Sequence, residues 1–115
     1  MAVLIDRKIL NVEKKSGGKG HVIIEPLLSE KELNNKCDLY AQVTLEPGCS
    51  IGYHEHHGNT ETYYILQGSG LYNDNGKEIN IKAGDTTYCP NGEGHSIENN
   101  TSTGNLIFMA LMIKE

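Results

Sequence analysis

The sequence predicts an all-β fold, a barrel or a sandwich, on three observations. Glycine is abundant, with 13 residues in a chain of 115, and tryptophan is absent. Short runs rich in β-branched and aromatic residues alternate with turn signals along most of the chain. The pair Asn75-Gly76, set between two such runs, is a strong signal for a two-residue hairpin turn. Several short strands separated in this way are typical of barrels and sandwiches.

The first half of the chain contains two predicted strands and a brief helical turn. Residues 21–25 are the first strand candidate, and residues 29–33 predict a helical turn that Ser29 can cap. In residues 38–46 apolar and polar positions alternate, so that one face of the strand carries Leu39, Ala41, Val43 and Leu45. Pro47-Gly48 then fits the centre of a type II turn, because proline presets φ and glycine tolerates a positive φ.

The second half predicts only strands and turns. The strand candidates are residues 60–67, 71–74, 77–81, 85–89, 95–98 and 105–113, with a break at Pro90-Asn91-Gly92. We predict that residues 20–115 form one domain, since no linker or repeat interrupts them. Residues 1–19 are predicted to be an N-terminal arm or an extra strand. Their apolar side chains could form an edge strand or an arm facing a partner; they are Val3, Ile5, Ile9, Leu10 and Val12.

Charge and composition exclude some classes of partner. The formal net charge is −5 and the pI is about 5.5, whereas nucleic-acid binders are more often basic, with lysine and arginine clustered on one face. We therefore predict no nucleic-acid partner. The only basic cluster, residues 14–20, lacks the order of glycine, lysine and hydroxyl residues that cradles phosphates, and it is interpreted as a flexible solvated loop.

Cysteine usage and hydropathy predict a cytoplasmic protein. The chain has three cysteines at wide spacings, which form neither a C-x2-C pair nor a disulfide framework and are expected to be reduced thiols. The apolar run at residues 1–5 is too short for a signal peptide and is interrupted at once by charge. No stretch approaches the roughly 20 apolar residues that span a bilayer, so we predict no membrane association.

Two spaced patterns indicate a metal site. The first is Gly48-x5-His54-x-His56-x4-Glu61-x6-Gly68, and the second is Gly84-x5-Pro90-x-Gly92-x2-His95-x3-Asn99. Alternation along a strand places the His54 and His56 side chains on the same side. Three imidazoles and a carboxylate form a transition-metal donor set, since imidazole suits Zn, Cu, Fe and Ni and carboxylate suits Mn. Ordinary surface or core histidines are the alternative, which the pairing of both patterns disfavours.

Other reactive residues receive separate interpretations. His57 is expected to face the surface, because it follows His56 directly, and His21 is interpreted as a pocket-rim or surface residue. Tyr63 shares strand parity with Glu61, so it either lines the cavity as the candidate catalytic acid or base, or it simply packs in the core; Tyr64 would face away. Cys89 is read as a small buried thiol, and no cysteine nucleophile is predicted.

The two patterns resemble the two conserved motifs of the cupin superfamily, and every signature position is present. The resemblance is specific over residues 48–99, extends loosely over residues 20–115 and does not include residues 1–19. It implies a jelly-roll barrel, also called a double-stranded β-helix, made of two antiparallel sheets. It also implies that His54, His56, Glu61 and His95 bind one divalent ion (Mn, Fe, Ni or Zn) at the barrel mouth, and that the protein is a homodimer.

Fold does not fix function, and three hypotheses remain open. The first is a metal-dependent dioxygenase, decarboxylase or isomerase that acts on a small anionic or polyoxygenated molecule. The second is a binding or sensor protein that holds a carboxylate or a sugar without turnover, which the shortage of candidate acid–base residues favours. The third is a barrel with a purely structural metal, although structural zinc more often uses cysteine ligands.

Overall fold

The computed structural model describes residues 3–115 as two facing antiparallel sheets with little helix. The strands are β1 (Leu10–Glu13), β2 (His21–Pro26), β3 (Cys37–Leu45), β4 (Ser50–Glu55), β5 (Asn59–Gln67), β6 (Ser69–Asp74), β7 (Lys77–Lys82), β8 (Thr86–Cys89), β9 (Gly94–Glu98) and β10 (Leu106–Lys114). One sheet has the order β1-β2-β3-β10-β5-β8, and the other has the order β4-β9-β6-β7. The predicted all-β class and the two-sheet jelly-roll arrangement are confirmed.

The core lies between the inner faces of the two sheets. In β3 the predicted alternation is confirmed, because Ala41, Val43 and Leu45 are buried whereas Tyr40 is exposed. The central strand β10 pairs with β3 on one side and with β5 on the other, so its inward residues meet apolar neighbours from both. Phe108 is fully buried there, and its ring lies 4.5 Å from that of Tyr63.

Turn chemistry agrees with the sequence at the two sites where it is most specific. Gly48 has φ of 81°, and the Cys49 amide donates to the Glu46 carbonyl at 3.0 Å, which closes the predicted turn. Asn75 and Gly76 both have positive φ, 50° and 102°, as a type I′ hairpin between β6 and β7 requires. Both predicted turns are therefore confirmed.

The predicted helical turn is present as α1 (Glu30–Leu33), with Ser29 at its N-cap. The Glu32 carboxylate accepts hydrogen bonds from the Ser29 amide at 2.9 Å and from the Ser29 hydroxyl at 2.6 Å. This contact fixes the start of the helix, as in a capping box. Within residues 3–115 no helix is long and apolar enough to cross a bilayer.

The N-terminal segment contributes one edge strand and an exposed stretch. Strand β1 pairs antiparallel with β2 at the edge of the six-stranded sheet. Before it, Val3, Ile5 and Ile9 are mostly exposed, at 68%, 79% and 65%. Residues 1 and 2 lie outside the described residues. The domain boundary between residues 19 and 20 stays a prediction.

The glycine-rich loop of residues 14–20 differs in part from its prediction. It forms a short 3-10 helix (Lys15–Gly17) and lies against β4, where the Ser50 amide donates to the Lys19 carbonyl at 2.9 Å. The Lys19 amide donates in turn to the Ser50 hydroxyl at 2.9 Å. A Cβ at Gly18 would collide with the Ser50 carbonyl, so glycine here permits close backbone approach. The loop is mostly exposed, as a solvated loop requires, but Gly18 serves close packing against β4; its flexibility stays a prediction.

Candidate metal centre

Both sheets contribute to a cluster of three histidines and one glutamate. His54 on β4 lies directly opposite His95 on β9, and His56 follows immediately after the end of β4. Glu61 is on β5 in the facing sheet. One potential ligand atom from each of the four residues lies within 4.8 Å of all the others. The structure thus brings together all four residues that the sequence predicted as ligands.

Imidazole Nε2 atoms converge on the Glu61 carboxylate. The Nε2 atom of His95 lies 3.0 Å from Nε2 of His56, 3.1 Å from Nε2 of His54 and 3.1 Å from Oε1 of Glu61. Oε1 of Glu61 is 3.1 Å from Nε2 of His56 and 3.9 Å from Nε2 of His54. The three rings meet edge-on, with centroids 4.7 to 5.1 Å apart. Four donor atoms therefore surround one small volume.

The opposite nitrogen of each imidazole has its own hydrogen-bond partner. Nδ1 of His54 lies 2.8 Å from the Gly52 carbonyl, and Nδ1 of His56 lies 2.7 Å from Oδ1 of Asn59. Because both oxygens only accept, each Nδ1 carries the proton and each Nε2 presents a lone pair in the neutral ring. Nδ1 of His95 lies 2.8 Å from the Tyr72 hydroxyl. In metal-ligating histidines, too, one ring nitrogen is hydrogen-bonded to a protein group and the other is available to the metal.

Protonation states at the cluster also suit a metal. Burial raises the pKa of Glu61, but its close contacts with the three histidines lower it by more, so the net pKa is well below the ordinary value. Burial lowers the pKa of His95, with Glu61 opposing it. The hydrogen bond to Glu61 raises the pKa of His56 against the effect of burial. An ionised carboxylate beside a neutral His95 matches what metal ligation requires.

Tyr63 is buried directly behind this cluster. Its ring stacks on the His95 ring at 5.0 Å with an interplanar angle of 17°, and only 2% of the residue is exposed. Burial and the nearby Glu61 charge raise the pKa of Tyr63 well above its ordinary value, so the phenol keeps its proton. Tyr64 is 47% exposed and faces away, as its strand parity predicted. A catalytic role for Tyr63 stays a prediction.

The remaining candidates lie outside the cluster. The His57 side chain is 72% exposed and contacts Glu55 at 3.2 Å, which confirms its predicted surface position. His21 is partly exposed and pairs with Glu46 at 2.6 Å. Cys89 is buried, and burial raises its pKa to about 11, so its thiol is protonated at neutral pH. The interpretation of Cys89 as a small buried thiol is confirmed.

Three supporting groups were missed in the sequence: Gly52, Asn59 and Tyr72. Each holds the Nδ1 atom of one histidine, and none belongs to the two spaced patterns. Tyr72 could have been noticed, since a tyrosine at an inward position of a strand needs a partner for its hydroxyl. Asn59 stands between His56 and Glu61, where a turn residue was the simpler interpretation. The Gly52 contact uses a main-chain carbonyl and leaves no sequence signal.

A family model described as a cupin domain matches residues 41–113. The chain belongs to the cupin family. In this cupin the group formed by His54, His56, Glu61 and His95 could hold a metal ion.

Both the comparison with curated proteins and the comparison with solved structures give a match from Thermotoga maritima. An oxalate-binding protein is 47% identical over 102 residues, which cover 89% of this chain and 84% of the relative. The crystal structure of a predicted oxalate decarboxylase has a TM-score of 0.90 and 44% identity, and the match covers 96% of this chain and 95% of that one. A cupin domain from Schizosaccharomyces pombe has a TM-score of 0.73 at 15% identity, with 97% and 90% of the two chains covered, and so reflects the fold alone.

Proposed function

We propose that this cupin binds one divalent transition metal through His54, His56, Glu61 and His95, and that it holds a small carboxylate of the oxalate type on that metal. The observation that carries the proposal is the convergence of three Nε2 atoms on one ionised carboxylate. Lone pairs that face each other at about 3 Å are unfavourable without a proton or a cation between them. A bound cation removes that repulsion.

The donor set fits the metals that the family resemblance implies. Imidazole and carboxylate together suit Mn, Fe, Ni and Zn, whereas soft copper and iron–sulfur sites rely on thiolate. When bound, such an ion supplies positive charge and acts as a Lewis acid toward an oxygen ligand. The four protein ligands leave room on an ion that prefers six donors, which suits a molecule with two carboxylate oxygens.

The oxalate class is supported by the oxalate-binding relative, which is 47% identical. The charges inside the barrel bear on how a carboxylate could bind. Among the described residues, no lysine or arginine is buried, so no buried protein cation can balance an anion there. An anion brought into that space would need its charge balanced, because burying an unpaired carboxylate is costly. We infer that binding of the carboxylate depends on the metal.

Turnover of the same ligand is the second candidate, favoured by the likeness to a predicted oxalate decarboxylase. Such a reaction requires a group that delivers or accepts a proton at the ligand. Tyr63 is the candidate donor, since its raised pKa keeps the phenol protonated beside Glu61 and His95. The same raised pKa makes the phenol a weak acid and leaves no phenolate to act as a base, and Glu61 is occupied within the ligand set. Binding without turnover therefore has the stronger support.

Thermal unfolding with and without metal tests the proposal. The metal-free protein is loaded separately with Mn²⁺, Co²⁺, Ni²⁺ or Zn²⁺ and then titrated with oxalate, with formate as a control that has a single carboxylate. We expect oxalate to raise the melting temperature only in metal-loaded protein, since a ligand at 100 times its Kd stabilises the folded state by about 2.7 kcal/mol. Stabilisation by metal but not by oxalate would support the hypothesis that the metal is purely structural. An oxalate effect that survives EDTA would contradict metal dependence.

We also infer a homodimer, as the family resemblance implies. Its support in this chain is the run of exposed apolar side chains before β1, which includes Val3, Ile5 and Ile9. Exposed apolar patches of this kind often mark contact surfaces. Light scattering during size-exclusion chromatography would give twice the 12.7 kDa chain mass for a dimer. A monomer mass across a wide concentration range would contradict it.

A further inference from the structure

A chain of side-chain hydrogen bonds connects the His56 ring to the surface. Oδ1 of Asn59 lies 2.7 Å from Nδ1 of His56, and Nδ2 of Asn59 lies 2.9 Å from Oδ2 of Asp38. Asp38 is near the start of β3, and Asn59 begins β5. The chain Asp38–Asn59–His56 therefore joins Nδ1 of His56 to β5 and β3, whereas Nε2 of the same ring faces Glu61.

The direction of each hydrogen bond in the chain follows from the aspartate. A carboxylate accepts and cannot donate, so the amide nitrogen of Asn59 must face Asp38. The amide oxygen of Asn59 then faces His56 and can only accept. Nδ1 of His56 must be the donor, which leaves the lone pair on Nε2, the atom that lies 3.0 Å from Nε2 of His95.

The chain is anchored at its outer end. Nζ of Lys114 lies 3.5 Å from Oδ1 of Asp38 and 2.6 Å from Oδ1 of Asn35, so both Asp38 oxygens have partners. The amide nitrogen of Asn59 also lies 3.7 Å from Sδ of Met112 on β10. Three elements thus hold the amide group in one of its two orientations.

His56 differs from His54 in how easily its support could be reversed. His54 is held by a main-chain carbonyl, which always accepts, and His95 by the Tyr72 hydroxyl. An amide can rotate by half a turn and present its nitrogen instead. The reversed amide would force the His56 proton onto Nε2 and block that nitrogen as a ligand. The hydrogen bond to Asp38 is the strongest contact that opposes this rotation, beside the weaker one to Met112.

We propose that Asp38 and Asn59 are positioning residues that fix the tautomer of His56 and so set the metal affinity of the centre. The effect on metal affinity rests on the proposed function, whereas the effect on the tautomer does not. Loss of a hydrogen-bond partner of a metal ligand typically lowers metal affinity by about 10- to 100-fold. The loss expected for Asn59→Leu lies in that range.

Three variants separate positioning from general packing. Asn59→Leu removes the acceptor while keeping a similar volume. Asp38→Asn keeps the shape but lets the Asn59 amide take either orientation, so we expect a smaller loss. The double variant D38N/N59D exchanges the two groups and keeps the net charge, with a carboxylate accepting from both His56 and the amide at position 38. His57→Ala is the control, because that exposed side chain lies next to His56 but outside the chain.

Two measurements test the proposal: the metal affinity and the tautomer of His56. Titration with Co²⁺ gives the affinity, and the visible spectrum of bound Co²⁺ reports its coordination. Nitrogen-15 NMR of the histidine rings in metal-free protein gives the His56 tautomer directly, with no metal involved. We expect the Nδ1–H form in the wild type and in His57→Ala, a mixture of tautomers in Asn59→Leu and Asp38→Asn, and recovery of both tautomer and affinity in D38N/N59D.

The outcomes are distinct. Wild-type affinity and tautomer in Asn59→Leu would overturn the proposal, as would a double variant no better than Asn59→Leu. If the wild type takes up no Co²⁺, the proposed function fails, and the NMR tautomers still decide the role of Asp38 and Asn59. If Asn59→Leu does not fold, Asp38→Asn and the double variant give the same comparison, since the Asp38 side chain is 37% exposed.

Discussion

Nε2 of His56 lies 3.0 Å from Nε2 of His95, although the two residues are 39 positions apart in the sequence. Pairing of β4 with β9 produces this proximity, because it places His95 opposite His54 and brings the segment after β4 alongside. Two neutral nitrogens at this distance repel unless a proton or a cation lies between them. The pair therefore belongs to a group of side chains that could hold a cation.

Replacing His56 should remove the metal, whereas replacing His57 should not. His56 is 6% exposed and faces the other three residues of the cluster, while the neighbouring His57 side chain is 72% exposed and points to solvent. We expect His56→Ala to retain far less metal than the wild type, and His57→Ala to retain the full amount. Elemental analysis of the purified variants measures this directly. Equal losses of metal in the two variants would contradict the assignment of His56 as a ligand.

Metal affinity should fall as the pH is lowered. Protons compete with the metal for the imidazole nitrogens, and the pKa of His56 is raised by Glu61, so competition begins above the ordinary histidine value of about 6.5. The pKa of Glu61 is lowered, and this carboxylate therefore stays ionised through the same range. Titrations from about pH 8 to about pH 5 should show weakening affinity. Constant affinity across this range would show that these imidazoles are not the ligands.

Tyr72→Phe should weaken metal binding without unfolding the protein. The substitution removes the hydroxyl that lies 2.8 Å from Nδ1 of His95 but keeps the buried ring. Without this partner Nδ1 of His95 loses the hydrogen bond that orients the ring, and we expect about a tenfold loss of affinity. The matched control is Tyr64→Phe, which changes an exposed hydroxyl. A loss of the same size in both variants would argue against a specific role for Tyr72.

Phe108→Ala should destabilise the barrel more than any surface change on the same sheet. Phe108 is fully buried and packs on Tyr63, which in turn stacks on His95. We expect a loss of about 3 to 5 kcal/mol in the free energy of unfolding, measured with urea. The control Tyr64→Ala alters an exposed ring of the neighbouring strand and should change the value by about 0.5 kcal/mol or less. Equal losses would contradict the assignment of the core.

Much of this structure could be predicted from local patterns. Alternation in β3 and the Asn75-Gly76 turn depend on neighbouring residues and were correctly predicted. The four clustered side chains were also identified, because their spacing follows a family pattern. The contact of Tyr72 with His95 and the packing of the glycine-rich loop on β4 were missed. Both depend on contacts between residues distant in sequence, which no local pattern records.

A crystal structure of the metal-loaded protein, with the ion located by anomalous scattering, tests the central claim most directly. We predict one ion, with Nε2 of His54, His56 and His95 and a carboxylate oxygen of Glu61 all at about 2.0 to 2.2 Å. An ion bound by other residues, or no ion at these four side chains in protein saturated with Mn²⁺, Ni²⁺ and Zn²⁺ in turn, would contradict the account.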